Sequence, residues 1–559
     1  MLHASASMHH KPWLKHYDAH IPESLSYPDN NLVEIFEAAV NAFPQKPFIV
    51  YNKDIYTYRE VERLINALSL RLLGLGLRVG ERVAVLLPNI PEFVISYYAI
   101  LKAGGIVAAM NPNYKRQELE FLLRDSTPHL VICLKNHLEI LLSLGLNTSD
   151  IIVVNQARRS AIGERGEMGE ENTVGDFWEL CLEEGEVAKF PKVSSSAAAI
   201  FQYSGGTTGI PKAAIGSHKN IIANITQFKV WCNLEEGSEI ILAVIPLYHV
   251  YGMVLTMNLA IAACSAMVLI DDPTDIEKIL SEIENHRVSF YAGVPTMFYA
   301  INQHPKVKSG EFDIRSIKAC ISGSAPLHSQ IKADFERLTG GKLVEGYGLS
   351  EAPTATHCNP IFGINKSGSI GLPLPDVECK VVDLERGEVE MGLGEVGELV
   401  IKGPQVMIGY HNKPEDERTA LRDGWLYTGD VARMDADGHF FIVDRKKSLI
   451  KVSGFQVWPN EIERVIAEHP LVSACAVGGV PDLKQGEKVV AWVVKKAGVE
   501  ICKEDIRAWC QSRLVSYKVP SVVEFRTELP ISGVGKILKG KLIEEYLEKE
   551  ASESETSFY

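Results

Sequence analysis

The sequence predicts an α/β protein: a large N-terminal domain made of α/β subdomains and a small β region, then a small α+β domain. Three observations carry that reading. Short runs of Val, Ile and Leu alternate with helix-periodic segments through the first large block, the pattern of largely parallel sheets covered by helices. Two short strand-like stretches, 395–403 and 439–443, stand between Gly and Asp residues and mark the smaller β region. Beyond Asp444-Arg445-Lys446-Lys447 a fresh mixed pattern of roughly domain size begins. A chain of 559 residues exceeds what one ordinary core serves, so roughly two to four domains or subdomains are expected. The boundaries read from these shifts are 1–445, 446–550 and a polar tail, 551–559, expected to be disordered.

The elements follow in order. Residues 83–87 read as a strand, and 92–101 as a helix with Phe93, Tyr97, Ile100 and Leu101 on one side. Asn111-Pro112-Asn113 marks a turn, 130–134 a second strand, and the charged stretch 158–172 an exposed insertion. The apolar run 197–201 reads as a buried strand. After it, Ser217 is placed to cap a helix carrying Ile221, Ile222, Ile225 and Phe228. In the C-terminal part, 460–468 reads as a helix with Pro459 at its start and Ile462, Val465 and Ile466 inward. A strand at 488–494, a helix at 503–514 and a strand at 521–525 complete the pattern.

Composition narrows the class. An apolar content of 46% and a charged content of 23% are those of a soluble globular protein. A formal net charge of −14 argues against nucleic-acid binding driven by bulk electrostatics. Ten scattered cysteines without a C-x-x-C pair read as reduced, mostly buried thiols in the cytoplasm. The first thirty residues carry no signal pattern, and the tail carries no lipidation or peroxisomal signal. Residues 240–270 contain no Asp, Glu, Lys or Arg and are long enough to span a bilayer. Pro246, Tyr248, His249, Gly252 and Asn258 interrupt them, which fits a buried strand, loop, helix and strand better than a spanning helix. Peripheral membrane contact stays open.

The densest chemical signal is Tyr203-Ser204-Gly205-Gly206-Thr207-Thr208-Gly209-Ile210-Pro211-Lys212. Small residues let backbone N–H groups approach an anion, while hydroxyls and a lysine add donors and positive charge, a combination that suits a polyphosphate. It is not a Walker A loop, because Pro211 and Ala213 flank the lysine where that motif needs Gly and Ser or Thr. Taken alone, the same ten residues also describe a flexible surface loop.

Seven further islands stand in order along the chain: Pro246-Leu247-Tyr248-His249-Val250-Tyr251-Gly252, Ser322-Gly323-Ser324-Ala325-Pro326, Glu345-Gly346-Tyr347-Gly348-Leu349-Ser350-Glu351, Tyr427-Thr428-Gly429-Asp430, Asp444-Arg445, Val452-Ser453-Gly454 and Gly535-Lys536. Together with the Gly/Thr loop they resemble the adenylate-forming (ANL) superfamily of acyl-CoA synthetases, peptide-synthetase adenylation domains and luciferases, over about residues 30 to 540. The opening Lys11-Pro12-Trp13-Leu14-Lys15, with Pro22 and Tyr27-Pro28, is similar to that of bacterial long-chain fatty acid–CoA ligases.

The resemblance implies ATP-dependent conversion of a fatty acid to an acyl-adenylate, then transfer to CoA with release of AMP. It implies that Ser204, Gly205, Gly206, Thr207, Thr208, Gly209 and Lys212 hold the leaving pyrophosphate, and that Glu351 and Thr208 hold Mg²⁺. Tyr347 stacks on adenine, with Gly323, Ser324 and Ala325 as the opposite wall and Gly346, Gly348 and Ser350 beside the nucleotide. Asp430 and Arg445 bind the ribose. His249 positions the acyl carboxylate, and Lys536 neutralises charge at the carboxylate and α-phosphate. The C-terminal domain is mobile, with Lys447 at the hinge. Lys451, Ser453 and Gly454 serve the CoA step. Lys539 stands where relatives often show Arg, Ser448 where many show Asp, and Met253 where some carry a bulky gating residue. A homodimer is compatible with the resemblance. Other readings are a medium-chain or aryl acid–CoA ligase, an acyl-AMP ligase that loads a carrier protein, and a non-catalytic nucleotide- or acyl-binding relative.

Overall fold

A computed structural model describes residues 11–156, 175–182, 189–204, 211–531 and 537–556. They group into two units: Met1–Gly206 with Pro211–Glu378 and Lys402–Leu426, and Cys379–Ile401 with Tyr427–Tyr559.

Among the described residues the first unit holds two large sheets. One runs in the order Gly409–Tyr410, Lys212–Ser217, Ala198–Ser204, Ile106–Ala109, Arg82–Leu86, Leu130–Leu134, Ile151–Val154. Its last five strands are parallel, and Ile106–Ala109 and Ile151–Val154 are buried throughout, as expected of strands covered on both faces. The other runs Leu372–Pro373, Ala355–Cys358, Lys342–Gly348, Ala319–Ser322, Phe290–Gly293, Ile240–Ala243, Ala266–Leu269, Pro47–Tyr51, Asp54–Thr57. From Lys342–Gly348 to Pro47–Tyr51 its neighbours are parallel.

Each sheet reverses its strand order where successive strands are added on opposite sides. After Arg82–Leu86 the chain adds Ile106–Ala109 on one side and Leu130–Leu134 on the other; after Ile240–Ala243 it adds Ala266–Leu269 and then, opposite, Phe290–Gly293. The carboxyl ends of strands at such reversals are where open α/β sheets bind ligands.

The uncharged segment folds as expected. Ile240–Ala243 and Ala266–Leu269 are strands, and the helical turns Val250–Gly252, Met253–Asn258 and Leu259–Ala262 lie between them. Met253–Asn258 widens into a π-helix, which the sequence did not signal, and its side chains are fully buried. Among the described residues no helix is long and apolar enough to cross a membrane. All ten cysteines are free, and seven of them are buried.

Ser217 caps the helix His218–Trp231, accepting from Asn220 N while Asn220 Oδ1 accepts from Ser217 N. The helix Pro91–Lys102 departs from expectation: it is buried all round from Pro91 to Leu101 rather than on one side. Its polar Glu92 is consequently taken inside, where it accepts from Trp178 Nε1 at 3.1 Å. The insertion expected at 158–172 lies outside the described residues.

The second unit carries the strands Trp425–Met434 and Phe440–Arg445 as an antiparallel pair, continued by Gly397–Lys402 and Glu378–Val382. Farther along, the long antiparallel pair Val472–Asp482 and Gly486–Lys495 is joined by Ile450–Val452, Phe455–Val457 and the parallel Val522–Arg526. Alternation along Gly486–Lys495 divides the core. Val489, Ala491 and Val493 face Ile462, Ile466 and Ile506, whereas Val490 and Trp492 face Leu542 and Tyr546. The helices are Pro459–Ala467, Lys503–Gln511 and Lys539–Thr556. The last one continues into the segment read as a tail.

Candidate active site

Strands Ala319–Ser322 and Lys342–Gly348 are parallel neighbours, with Ser322 opposite Glu345. Gly323, Ser324 and Ala325 therefore leave the sheet at the edge where Gly346, Tyr347 and Gly348 end. Ser324 takes a left-handed backbone, φ 69°. The Tyr347 ring stands edge-on to the buried His357, centroids 5.9 Å apart. Gly348 admits no side chain, since a Cβ there would sit 1.8 Å from the Thr354 carbonyl oxygen. Ser350 lies in the turn that follows.

A cavity of about 200 Å³ opens beside these loops, lined by Leu327, Lys332, Glu345, Asn359 and Lys366 among others. Glu345 Oε2 accepts from Leu327 N at 3.2 Å, and burial pushes its carboxyl up to about 8. As alternate residues of the strand Lys342–Gly348, Glu345 and Tyr347 lie on one face of it. The sequence showed Glu345 only as the first letter of a motif.

His249 belongs to the loop leaving Ile240–Ala243, where the strand order reverses. Asn89, from the loop at the other sheet's reversal, fixes that segment: its Nδ2 donates to the carbonyls of Ala243 and Ile245, and its Oδ1 accepts from Leu247 N at 2.8 Å. His249 Nδ1 accepts from Tyr251 N at 3.2 Å, so the ring proton resides on Nε2, which becomes a donor. The Tyr251 hydroxyl lies 3.0 Å from Gly293 O and 2.9 Å from Ile321 O, tying the loop to the ends of the next two strands.

Glu351 follows in the turn after Lys342–Gly348. Tyr410 Oη donates to its Oε1 at 2.9 Å, and Met407 N donates to its backbone carbonyl at 2.9 Å. Lys212 lies over the Tyr410 ring, 5.8 Å from the centroid, and is paired with Asp416. Ser204 ends one strand and Lys212 begins its antiparallel neighbour, the two being in register. Gly205, Gly206, Thr207, Thr208 and Gly209, between them, lie outside the described residues, as does Lys536.

In the second unit Asp430 and Arg445 face each other across antiparallel strands, Arg445 Nε 2.7 Å from Asp430 Oδ1. Asp430 is only 2% exposed, so its guanidinium partner supports a charge that burial disfavours. Thr428 Oγ1 accepts from Asp430 N, and Glu398 accepts from Gly429 N and pairs with Lys446 at 2.6 Å. Asp444 accepts from Arg445 N and Asn460 N; burial raises its carboxyl above the ordinary range. Lys447 occupies the short turn Lys446–Ser448. Ser453 and Gly454, with φ 50° and 86°, form the two-residue tip of a hairpin whose twist requires such values, and glycine supplies one without strain. Lys451 is exposed, its N–H donating to Glu487. Lys539 is engaged with Asn460 Oδ1 and Glu463 Oε1 at 3.2 and 2.7 Å.

Among the described residues no group of three or more His, Cys, Asp or Glu is arranged to hold a metal. Asn89, Tyr410 and Glu345 escaped the sequence reading. The only signal for Asn89 was a polar residue between Pro88 and Pro91 in an otherwise apolar stretch.

Residues 36–411 match the model of the AMP-binding enzyme family, and residues 461–536 that of the AMP-binding enzyme C-terminal domain. The long-chain-fatty-acid–CoA ligase of Bacillus subtilis (strain 168) is 40% identical, the alignment covering 96% of this chain and 98% of the relative. The long-chain-fatty-acid–CoA ligase of Salmonella typhimurium is 36% identical, with the same coverages of 96% and 98%. The crystal structure of ATP-bound MatB from Rhodopseudomonas palustris superposes with a TM-score of 0.83 at 28% identity, covering 92% of this chain and 99% of that one. On the match over most of its length and on these identities, the chain belongs to the AMP-binding enzyme family of adenylate-forming ligases.

Proposed function

We propose that this protein is an AMP-forming long-chain fatty acid–CoA ligase. It joins a fatty acid carboxylate to ATP, giving acyl-adenylate and pyrophosphate, and then passes the acyl group to the thiol of CoA with release of AMP. One observation carries the reading: a single sheet edge presents a histidine N–H donor, a glycine-lined slot beside an aromatic ring, and a carboxylate on one run of adjacent parallel strands. The activity in the names of its relatives supports the same substrates, and the uncharged, largely buried segment 240–270 suits an apolar acyl chain.

The chemistry is a meeting of two anions, so the barrier is largely electrostatic. A carboxylate is already ionised at neutral pH and needs no general base. His249 Nε2–H donates to it and sets the angle of attack on the α-phosphorus. Lys212 and the Gly/Thr loop, with Thr207 and Thr208, take up the pyrophosphate as it leaves; Lys536 neutralises charge where the new bond forms. Tyr347 stacks on adenine, and Asp430 accepts from the ribose hydroxyls while Arg445 donates to them. A neutral Glu345 carboxyl is complementary to the base edge: its carbonyl oxygen accepts from the exocyclic amino group and its O–H donates to the adjoining ring nitrogen. Glu351 offers a hard oxygen donor of the kind Mg²⁺ takes, with the Thr208 hydroxyl as second ligand; the ion would spread phosphate charge. Domain 446–550 turns about Lys447 for the second step, bringing Lys451, Ser453 and Gly454 to CoA. Ten free thiols suit a reducing compartment, and we place the enzyme in the cytoplasm.

The test is ATP–pyrophosphate exchange with and without palmitate, in the absence of CoA. Exchange that depends on the fatty acid is expected; exchange with aryl acids but not fatty acids would replace the acyl assignment, and none with any acid would replace the enzyme reading.

A further inference from the structure

The helix His218–Trp231 carries amide side chains on one face. Asn220, Asn224 and Gln227 stand at i, i+4 and i+7, and Asn224 and Gln227 are fully buried. A buried polar stripe is costly unless every group is paired, and an apolar stripe would pack a helix more cheaply. Here the pairing is specific. Asn224 Oδ1 accepts from Thr354 N at 3.0 Å and Ala355 N at 3.2 Å, while its Nδ2 donates to Ala355 O at 2.7 Å and Gln227 Oε1 at 3.0 Å. Asn220 Nδ2 donates to Pro404 O at 2.8 Å.

The segments thus gripped bracket one carboxylate. Thr354 and Ala355 close the turn that begins at Glu351, and the chain after Pro404 supplies Met407 and Tyr410, which bond Glu351 directly. The helix itself follows the strand that starts at Lys212. One rigid element therefore sets the Glu351 turn relative to the strand that leaves the phosphate-binding loop. Three hydrogen bonds from one amide to Thr354 and Ala355 fix the turn in position and in orientation, because the acceptor and donor ends of the amide cannot be exchanged.

We infer that Asn224 is a positioning residue for Glu351: it holds the turn so that the carboxylate meets the metal–nucleotide complex, and it touches neither. The inference rests on the proposed role of Glu351 as a Mg²⁺ ligand. Residues that orient a metal ligand typically alter metal affinity by about ten- to a hundredfold when replaced.

The experiment is calorimetric binding of ATP to the full-length protein, with Mg²⁺ and with EDTA, for wild type, Glu351→Gln, Asn224→Asp and the double variant. Asn224→Asp keeps the shape and both acceptor bonds but loses the two donor bonds. The expected result is that each single change shrinks the Mg²⁺-dependent gain in ATP affinity by about tenfold or more, that EDTA affinity holds, and that the double variant adds little further loss. In turnover, the KM for Mg·ATP rises while the fatty acid KM stays. Asn224→Ser, with one small acceptor, serves if the aspartate variant does not fold. A full Mg²⁺ gain in folded Asn224 variants, when Glu351→Gln abolishes it, would overturn the inference alone. A full gain in Glu351→Gln would overturn the metal reading and the inference with it.

Discussion

Replacing Glu345 by Gln tests whether a neutral carboxyl lines the base slot. Burial lifts this carboxyl from the ordinary 4.5 to about 8, so between those values the folded protein keeps a proton that the unfolded chain has lost. Stability is then fully present below pH 4.5 and falls with rising pH until the folded value is passed. The slope is about 1.4 kcal/mol per pH unit, which accumulates to an upper bound of about 5 kcal/mol by pH 8. Glutamine has the same shape and cannot titrate, so the variant gains on the wild type across this window. Buried His218 and His357, held down to about 4 and about 3, act oppositely: their share of stability falls as pH drops below 6.5. Both histidines are present in both proteins, so the difference curve isolates Glu345. Urea melts followed by tryptophan fluorescence from pH 5 to 9 provide the measurement. A difference that stays flat within about 1 kcal/mol would refute the buried, neutral carboxyl. In parallel, ATP affinity should weaken above pH 8 in the wild type and hold in Glu345→Gln, whose amide reproduces the acid's donor and acceptor.

Three further outcomes follow from named contacts. Asn89→Ala removes three hydrogen bonds from the loop before His249, so a loss of about 3 kcal/mol in denaturant melts and a raised fatty acid KM at unchanged ATP KM are expected. Gly348→Ala drives a methyl into the Thr354 carbonyl and should cost more than about 3 kcal/mol, read as a lowered melting temperature; a variant as stable as wild type would show that the turn yields. Lys536→Ala should abolish acyl-AMP formation while thioester formation from supplied acyl-AMP continues, and rapid adenylation by that variant would remove Lys536 from its role.

Much of the scaffold was readable because it follows local rules. The apolar runs at 83–87 and 130–134, the Ser217 cap and the Pro459 helix start all appear within a residue or so of their expected places. The helix expected at 503–514 stops at Gln511, and the turn that follows is closed by Leu514 N donating to Cys510 O, so only the assigned end differs. What could not be read depends on contacts between distant segments. Asn89 meets Ala243 and Ile245 only because the reversal points of two sheets are brought together, and no local pattern announces it. Asn224 stands among apolar residues of its helix, and only the fold brings the turn after Glu351 onto it. Glu345 sits in a motif whose letters identify a loop but not which side chain ends up desolvated. The π-helix at Met253–Asn258 is likewise a tertiary outcome, supported by Asn258 Nδ2 donating to Met253 O at 2.8 Å.

One chain turns a long-chain fatty acid, ATP and CoA into acyl-CoA and AMP. The most direct test of this conversion is to incubate the protein with ATP, Mg²⁺, CoA and an equimolar mixture of straight-chain acids from butyrate to eicosanoate with benzoate and ferulate, and to weigh the products by mass spectrometry. AMP is expected together with acyl-CoA species concentrated from dodecanoyl to octadecanoyl. Acyl-AMP without acyl-CoA, aryl-CoA in place of fatty acyl-CoA, or no AMP at all would contradict it.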